Sequence, residues 1–243
     1  MAIGLKFEFP PILNYYNDEK FMEEYRFVSD LGLGGQGWVG KYVDTRTGIE
    51  YAAKLNTMKN DYFLLIERVF LRKNESGKFD RIPKFRRSGE VGSEFSFIIM
   101  ELLPDPIDLH IAPLPPGLQK DLAIREVALQ MVDCIEQLHS MGTLHRDVKP
   151  SNFLMKNNRV YITDFGTCID WRNSETGEHI AECRTQFKGT LNFAGIRAHN
   201  RTNQGRRDDI ESLGYCLLFM LSEGTYDWMT NVNNDRHITM ATN

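Results

Sequence analysis

From Phe27 the chain sets short apolar runs between glycine-rich breaks: Phe27-Val-Ser-Asp-Leu-Gly-Leu-Gly34, Trp38-Val-Gly-Lys-Tyr-Val43 and Glu50-Tyr-Ala-Ala-Lys-Leu55. A glycine turn divides the first two and Arg46-Thr-Gly48 the last two, so the pattern predicts a three-strand meander. Tyr62 to Leu71 then changes period. Phe63, Ile66 and Phe70, with Leu65 and Val69 beside them, predict one apolar side of a helix, and Glu67 is its polar residue of interest. Ser93 to Leu103 predicts a strongly apolar strand, and the proline-rich segment Pro104 through Pro116 predicts a connector between two lobes.

Beyond the connector, Leu122, Val127, Met131, Ile135 and Leu138 recur at helical spacing, which predicts a long amphipathic helix over Leu118–His139, stopped by Gly142. Short strands are expected around Phe153-Leu-Met155 and Val160-Tyr-Ile-Thr163. Asp209 to Leu221 is apolar nearly all round, the pattern of a helix buried at a lobe centre. The expected layout is α+β: a leader over 1–26, a β-rich lobe and hinge over 27–103, a mainly helical lobe over 104–223, and a polar tail over 224–243.

Composition narrows the function classes. The 243 residues are 42% hydrophobic and 26% charged, as in ordinary folded domains, and 29 basic against 33 acidic side chains leave a net charge of −4. No global positive field is available for nucleic acid or an anionic membrane. Cys134, Cys168, Cys183 and Cys216 form no C-x-x-C pair, so free thiols in a reducing compartment are expected. The first residues lack a basic region followed by an apolar core, and the run Leu213 to Leu221 falls short of the roughly 20 residues that cross a bilayer. A soluble protein of the cytoplasm, with the nucleus as a second location, is the expectation, with the Asn74-Glu-Ser76 and Asn200-Arg-Thr202 sequons left unmodified.

Candidate chemistry begins at Gly32-Leu-Gly34-Gly-Gln-Gly37-Trp-Val39, which fits G-x-G-x-x-G-x-V. Glycines there let backbone N–H groups approach phosphate oxygens, although a glycine-rich hairpin also serves as a plain tight turn. A dinucleotide turn would pass directly into a helix, whereas here a strand continues, which favours a glycine flap. Lys54 ends Ala52-Ala53-Lys54 on an apolar strand, and Glu67 on the next helix is a reasonable ion partner; a solvated lysine is the alternative. His145-Arg-Asp-Val-Lys-Pro-Ser-Asn152 then reproduces H-R-D-x-x-x-x-N, and Asp164-Phe-Gly166 follows as D-F-G. The residue types suit phosphoryl transfer: Asp147 can orient a hydroxyl and accept its proton, Lys149 can neutralise charge on the transferring group, and Asn152 and Asp164 offer oxygen ligands to Mg²⁺.

These motifs together resemble the eukaryotic protein kinases, and more narrowly the casein kinase 1 group with its tau-tubulin kinase relatives. Ile66-Glu67, Met100-Glu-Leu-Leu103, His145 through Leu154, Gly189-Thr190 with Asn192-Phe-Ala194, and Arg206-Arg-Asp-Asp-Ile-Glu-Ser-Leu-Gly-Tyr215 carry the likeness, which runs from about Phe27 to Leu221. It implies a bilobal kinase-like fold with one helix in an antiparallel N-lobe, ATP and Mg²⁺ as cofactors, and a protein serine or threonine as substrate. It implies that Gly32, Gly34, Gly37, Val39, Ala52 and Lys54 hold the nucleotide, that Met100 is the gatekeeper, and that Glu101 to Leu103 bind adenine through their backbone. It also implies that Asp209 caps the His145-Arg146-Asp147 turn and that His145 is a packed support.

Three positions depart from the group. Asn192 stands where an arginine is usual, which leaves a preference for acidic or phosphorylated substrates open. Gln36 replaces a common aromatic residue in the flap. Thr225 to Asn243, with Asn231, Asn233 and Asn234, reads as polar text in place of the last helices, so self-association through an exposed C-lobe face is a further expectation. Two other functions compete with protein phosphorylation: a catalytically impaired nucleotide-binding scaffold, and a small-molecule phosphotransferase, which Arg146, Lys149 and Arg206-Arg-Asp-Asp disfavour.

Overall fold

A computed structural model describes residues 24–34, 37–57, 61–75, 77, 79–91, 95–173 and 175–224. Most of the expected leader, Gln36, Ser93, Ser174 and the segment from Thr225 with its three asparagines lie outside the described residues. The described residues form two compact units: those up to Arg68 with Lys84–Leu102, and Val69–Pro83 with those from Leu103 onward.

The first unit is an antiparallel sheet of β1 (Tyr25–Gly34), β2 (Gly37–Asp44), β3 (Glu50–Thr57), β4 (Phe85–Val91) and β5 (Phe95–Glu101), in the order β1-β2-β3-β5-β4. The expected meander is its first three strands. Cross-strand register puts Trp38 opposite Leu55, Gly40 opposite Ala53, and Leu55 and Ala53 opposite Phe97 and Ile99. Partners across a ladder share a face. That face buries Tyr25, Trp38, Tyr42, Ala53, Leu55, Phe97 and Ile99 as one core, with Phe27, Tyr51 and Phe95 packed around it. Two glycines make room for its rings: a Cβ on Gly40 would stand 2.4 Å from the Trp38 indole, and one on Gly89 3.0 Å from Phe97. Neither position tolerates a larger residue without moving the ring.

The sequence pattern did not reveal β4, because Phe85-Arg-Arg-Ser-Gly-Glu-Val91 carries two arginines and a glycine. As the edge strand it keeps the charges at the rim: the Arg86 guanidinium lies 5.9 Å from the Tyr51 ring centre and that of Arg87 5.7 Å from Phe97. The strand expected over Ser93–Leu103 is shorter, because β5 ends at Glu101.

Between β3 and β4 in sequence runs α1 (Tyr62–Lys73). It buries Leu64, Glu67, Phe70 and Leu71, whereas Leu65 and Val69 are exposed. The expected apolar side is therefore displaced. The spacing 64, 67, 71 is equally helical, and a single acidic residue within it hid that face from a pattern of apolar residues alone.

In the second unit the expected connector Pro104–Pro116 holds real structure: β6 (Asp105–Pro106) and α2 (Ile107–Ile111), whose Ile107 and Ile111 are buried. Pro106 sits just before the helix, where its lack of an N–H costs nothing. The long helix α3 (Leu118–Ser140) buries Ile124, Val127, Met131, Cys134, Ile135 and Leu138, while Leu122 is exposed. Strand β7 (Thr143–Leu144) follows Gly142, whose φ of 85° is the left-handed turn that ends the helix. β8 (Phe153–Lys156) and β9 (Arg159–Ile162) form a sheet with β6 in the order β6-β8-β9, and β10 (Ile169–Asp170) pairs with β7. A short α4 (Ile196–His199) precedes α5 (Arg206–Leu221).

The sequence pattern predicts a fully buried α5, and the structure covers one side of it. Asp208, Asp209, Ser212, Leu213, Cys216 and Met220 are buried, but Ile210, Leu218 and Leu221 are exposed. All four cysteines are free and only Cys183 is exposed. The Asn74 amide is buried in a loop, donating to Phe79 O and accepting from Phe79 N, and cannot serve as a glycan acceptor without breaking that loop. Among the described residues no helix is long and apolar enough to cross a membrane.

Candidate active site

The first unit supplies one group of expected residues. Val39, Lys54 and Ile98 stand opposite one another across β2, β3 and β5, and Ala52 stands opposite Met100. These side chains occupy the sheet face away from the aromatic core, since alternate residues point to opposite faces. Lys54 Nζ donates to Glu67 Oε2 at 2.7 Å, with side-chain exposures of 7% and 2%. A lysine so buried is not a solvated surface residue, and its charge is tolerable because of Glu67.

The β1–β2 hairpin closes with Gly34 opposite Gly37 and Gly32 opposite Val39. Gly37 must be glycine, because its φ is 127° and a Cβ would lie 2.5 Å from Leu55 O. Gly32 is different. Nothing lies within 4 Å of a Cβ built there, so its backbone is open to approach. At the end of β5, Glu101 N donates to Lys84 O, while Met100 is buried. Leu103, placed in the second unit, is buried there.

The second unit brings together Asp147, Lys149 and Asn152. Asp147 Oδ2 accepts from Lys149 Nζ at 3.0 Å and Oδ1 from Thr190 Oγ1 at 2.7 Å, and Lys149 also donates to Thr190 Oγ1 at 3.2 Å. Thr190 is thus a third member of the cluster. The sequence placed it only in a short family motif, and the hydroxyl's role follows from geometry alone. Gly189 delivers it: φ there is 112°, and a Cβ would lie 2.7 Å from Arg146 O, so the chain crosses the His145–Asn152 loop at a distance only glycine permits.

Asn152 Nδ2 donates to Asp147 O at 2.8 Å, which turns its amide oxygen the other way. Thr163 N donates to Asn152 O at 2.9 Å, tying the segment that carries Asp164 to the one that carries Asn152. Asp164 itself has φ 67° and ψ 66°, a left-handed conformation unusual for a residue with a side chain and typical of functional turns. Phe165 after it is fully buried and stacks on Phe70, ring centres 4.2 Å apart. An amide oxygen and a carboxylate on segments held this way are hard oxygen donors of the kind a Mg²⁺ ion takes.

Buried polar groups fix the loop beneath. Asp209, on α5, accepts from His145 N at 2.9 Å, Arg146 N at 2.8 Å and His139 Nε2 at 2.8 Å. The cap expected of Asp209 is therefore present, and His139 joins it from α3. His145 Nε2 faces Thr163 O at 2.9 Å and must donate, so Nδ1 is the acceptor for Asp147 N at 3.3 Å. Both ring nitrogens are occupied by backbone, as expected of a packed support. Arg146, in the left-handed region at φ 64°, donates through Nε to Thr167 O. Asp208 is also buried, which raises its carboxyl pKa above the usual 3.8. Burial likewise pushes up the thiols of Cys134, to about 12, and Cys216.

Residues 25–242 match the protein kinase domain family. A solved structure of vaccinia related kinase 3 is similar in fold, with a TM-score of 0.66 at 20% identity, over 86% of this chain and 67% of that one. With that match spanning both units and every motif described above, this chain belongs to the protein kinase domain family.

Proposed function

We propose that this protein is a serine/threonine kinase of the casein kinase 1 type that transfers the γ-phosphoryl group of ATP to protein hydroxyls. The observation that carries the reading is the cluster of Asp147, Lys149 and Thr190. Asp147 takes the proton of the attacking hydroxyl, and Lys149 stabilises charge on the phosphoryl oxygens as the bond to the leaving group lengthens. Thr190 holds Asp147 in place through Oδ1. A lysine two residues after the aspartate is the feature that supports serine and threonine over tyrosine.

In the first unit, the open backbone at Gly32, with Gly34 and Gly37, covers the phosphates, and Lys54, kept in place by Glu67, grips them. Val39 and Ala52 bracket adenine, Met100 closes the back of its pocket, and Glu101 and Leu102 offer backbone groups to its edge. Asn152 and Asp164 hold Mg²⁺. The metal neutralises the phosphates when bound; the chain's own contribution is to orient it. The narrower kinship rests on Arg206-Arg-Asp-Asp and on Gly189-Thr190 with Asn192-Phe-Ala194.

Incubation with Mg²⁺, labelled ATP and casein or tubulin, followed by phosphoamino-acid analysis, tests this. The expected product is phosphoserine and phosphothreonine, lost in Asp164→Ala. Nucleotide-dependent thermal stabilisation without transfer to any protein or peptide would replace the reading with a binding scaffold.

A further inference from the structure

The segment between Asp164 and Thr190 is held by side-chain amides from the loop before α5. Asn203 Oδ1 accepts from Cys183 N at 2.9 Å, and Asn203 Nδ2 donates to Ala181 O at 2.9 Å. Its own N–H donates to Cys183 O, Thr185 N donates to Arg201 O, and Arg184 and Thr202 form an antiparallel bridge. The side chain of Asn203 thus imitates the next residue of a partner strand, extending a very short ladder by one donor and one acceptor. One residue on, Gln204 Nε2 donates to Lys188 O at 2.9 Å. Lys188 precedes Gly189 and Thr190, whose hydroxyl lies on Asp147.

We infer that Asn203 and Gln204 are positioning residues for phosphoryl transfer: two consecutive amide side chains that splint residues 181–188 and so fix Thr190 on Asp147. This rests on the kinase reading above. Neither amide reaches Asp147 or Lys149; both act through the backbone of the segment between. Main-chain bonds from Asn203 N to Cys183 O and from Thr185 N to Arg201 O run beside this short splint, so loss of one amide is felt along the segment. Asn203→Asp keeps the acceptor for Cys183 N and loses the donor to Ala181 O. Gln204→Glu keeps the shape of the side chain and loses the donor to Lys188 O.

The test pairs site-resolved hydrogen exchange with steady-state kinetics on the full chain, using casein and ATP, and compares Asn203→Ala, Asn203→Asp and Gln204→Glu. Asn203→Ala is expected to speed exchange at the Cys183 amide about tenfold, a single hydrogen bond's worth, and Asn203→Asp to restore it. Gln204→Glu is expected to lower kcat/KM for casein by about tenfold while KM for ATP stays within about twofold, a split that general loss of folding would not produce. Melting temperatures near wild type show that the variants fold; if Asn203→Ala fails this control, Asn203→Asp alone decides, by retaining Cys183 protection.

Unchanged Cys183 exchange in Asn203→Ala, or casein kcat/KM within twofold of wild type in Gln204→Glu, overturns the inference. Wild-type protein that labels no substrate would sink the kinase reading and the catalytic half of this one, while the exchange measurement still judges the splint.

Discussion

The Thr190 hydroxyl donates to Asp147 Oδ1 at 2.7 Å and receives a bond from Lys149 at 3.2 Å, so it joins the cation and the carboxylate into one unit. Removing the hydroxyl leaves Asp147, which is 6% exposed, short of a donor and frees Lys149 to collapse onto it. Thr190→Val is expected to lower kcat by about tenfold to a hundredfold, the effect of one or two charge-assisted hydrogen bonds, while Thr190→Ser keeps most of the rate. Comparable rates in both variants would show that the contact is incidental.

Lys54 and Glu67 make a separable case. Breaking a buried pair by removing one partner costs about 3–5 kcal/mol, whereas replacing both by apolar residues is often nearly neutral. Lys54→Met should therefore melt well below wild type, and Lys54→Met with Glu67→Leu should recover stability without recovering ATP binding. Denaturant titration with nucleotide-shift measurements reads both quantities. Recovery of binding in the double variant would remove Lys54 from the site.

Asp208 gives a pH signature. Burial raises its pKa, so the folded state holds the proton more tightly than the unfolded chain does. Its contribution is fully present below the ordinary value of 3.8 and is lost as pH rises through the raised one. Asp208→Asn removes this titration. The variant's melting temperature relative to wild type should rise as the pH goes from about 3.5 to 7. A difference independent of pH would contradict the assignment.

Activity should persist after phosphatase treatment. Arg146, the arginine beside Asp147, donates to Thr167 O, and Thr167 Oγ1 donates to His145 O at 2.9 Å. Protein groups thus anchor the segment at Thr167, so order without a phosphate on Thr167, Thr176 or Thr185 is the expected outcome. Loss of transfer after phosphatase, restored by autophosphorylation, would overturn this.

What the sequence showed and what it hid follow from where the information lies. Asp147, Lys149, Asn152 and Asp164 stand out in the sequence as candidates because two short patterns fix both their types and their spacing. Thr190 and Asn203 do not, since each acts on residues some twenty or more positions away, and a lone threonine or asparagine in a loop carries no periodicity. The buried face of α1 was misread for a related reason: Glu67 is in that face only because Lys54, on another strand, neutralises it. β4 was hidden by Arg86 and Arg87, which a pattern of apolar residues scores as loop but an edge strand accommodates over Tyr51 and Phe97. The exposed side of α5 was likewise beyond a pattern in which every apolar residue counts as core.

In the proposed reaction Asp147 receives a proton from a substrate hydroxyl. The most direct measurement is single-turnover transfer from labelled Mg-ATP to casein by wild type and by Asp147→Asn, with both proteins shown to melt alike. Labelled phosphoserine is expected from the wild type, with a rate at least about a hundredfold lower in the variant. Equal rates from the two proteins would contradict it.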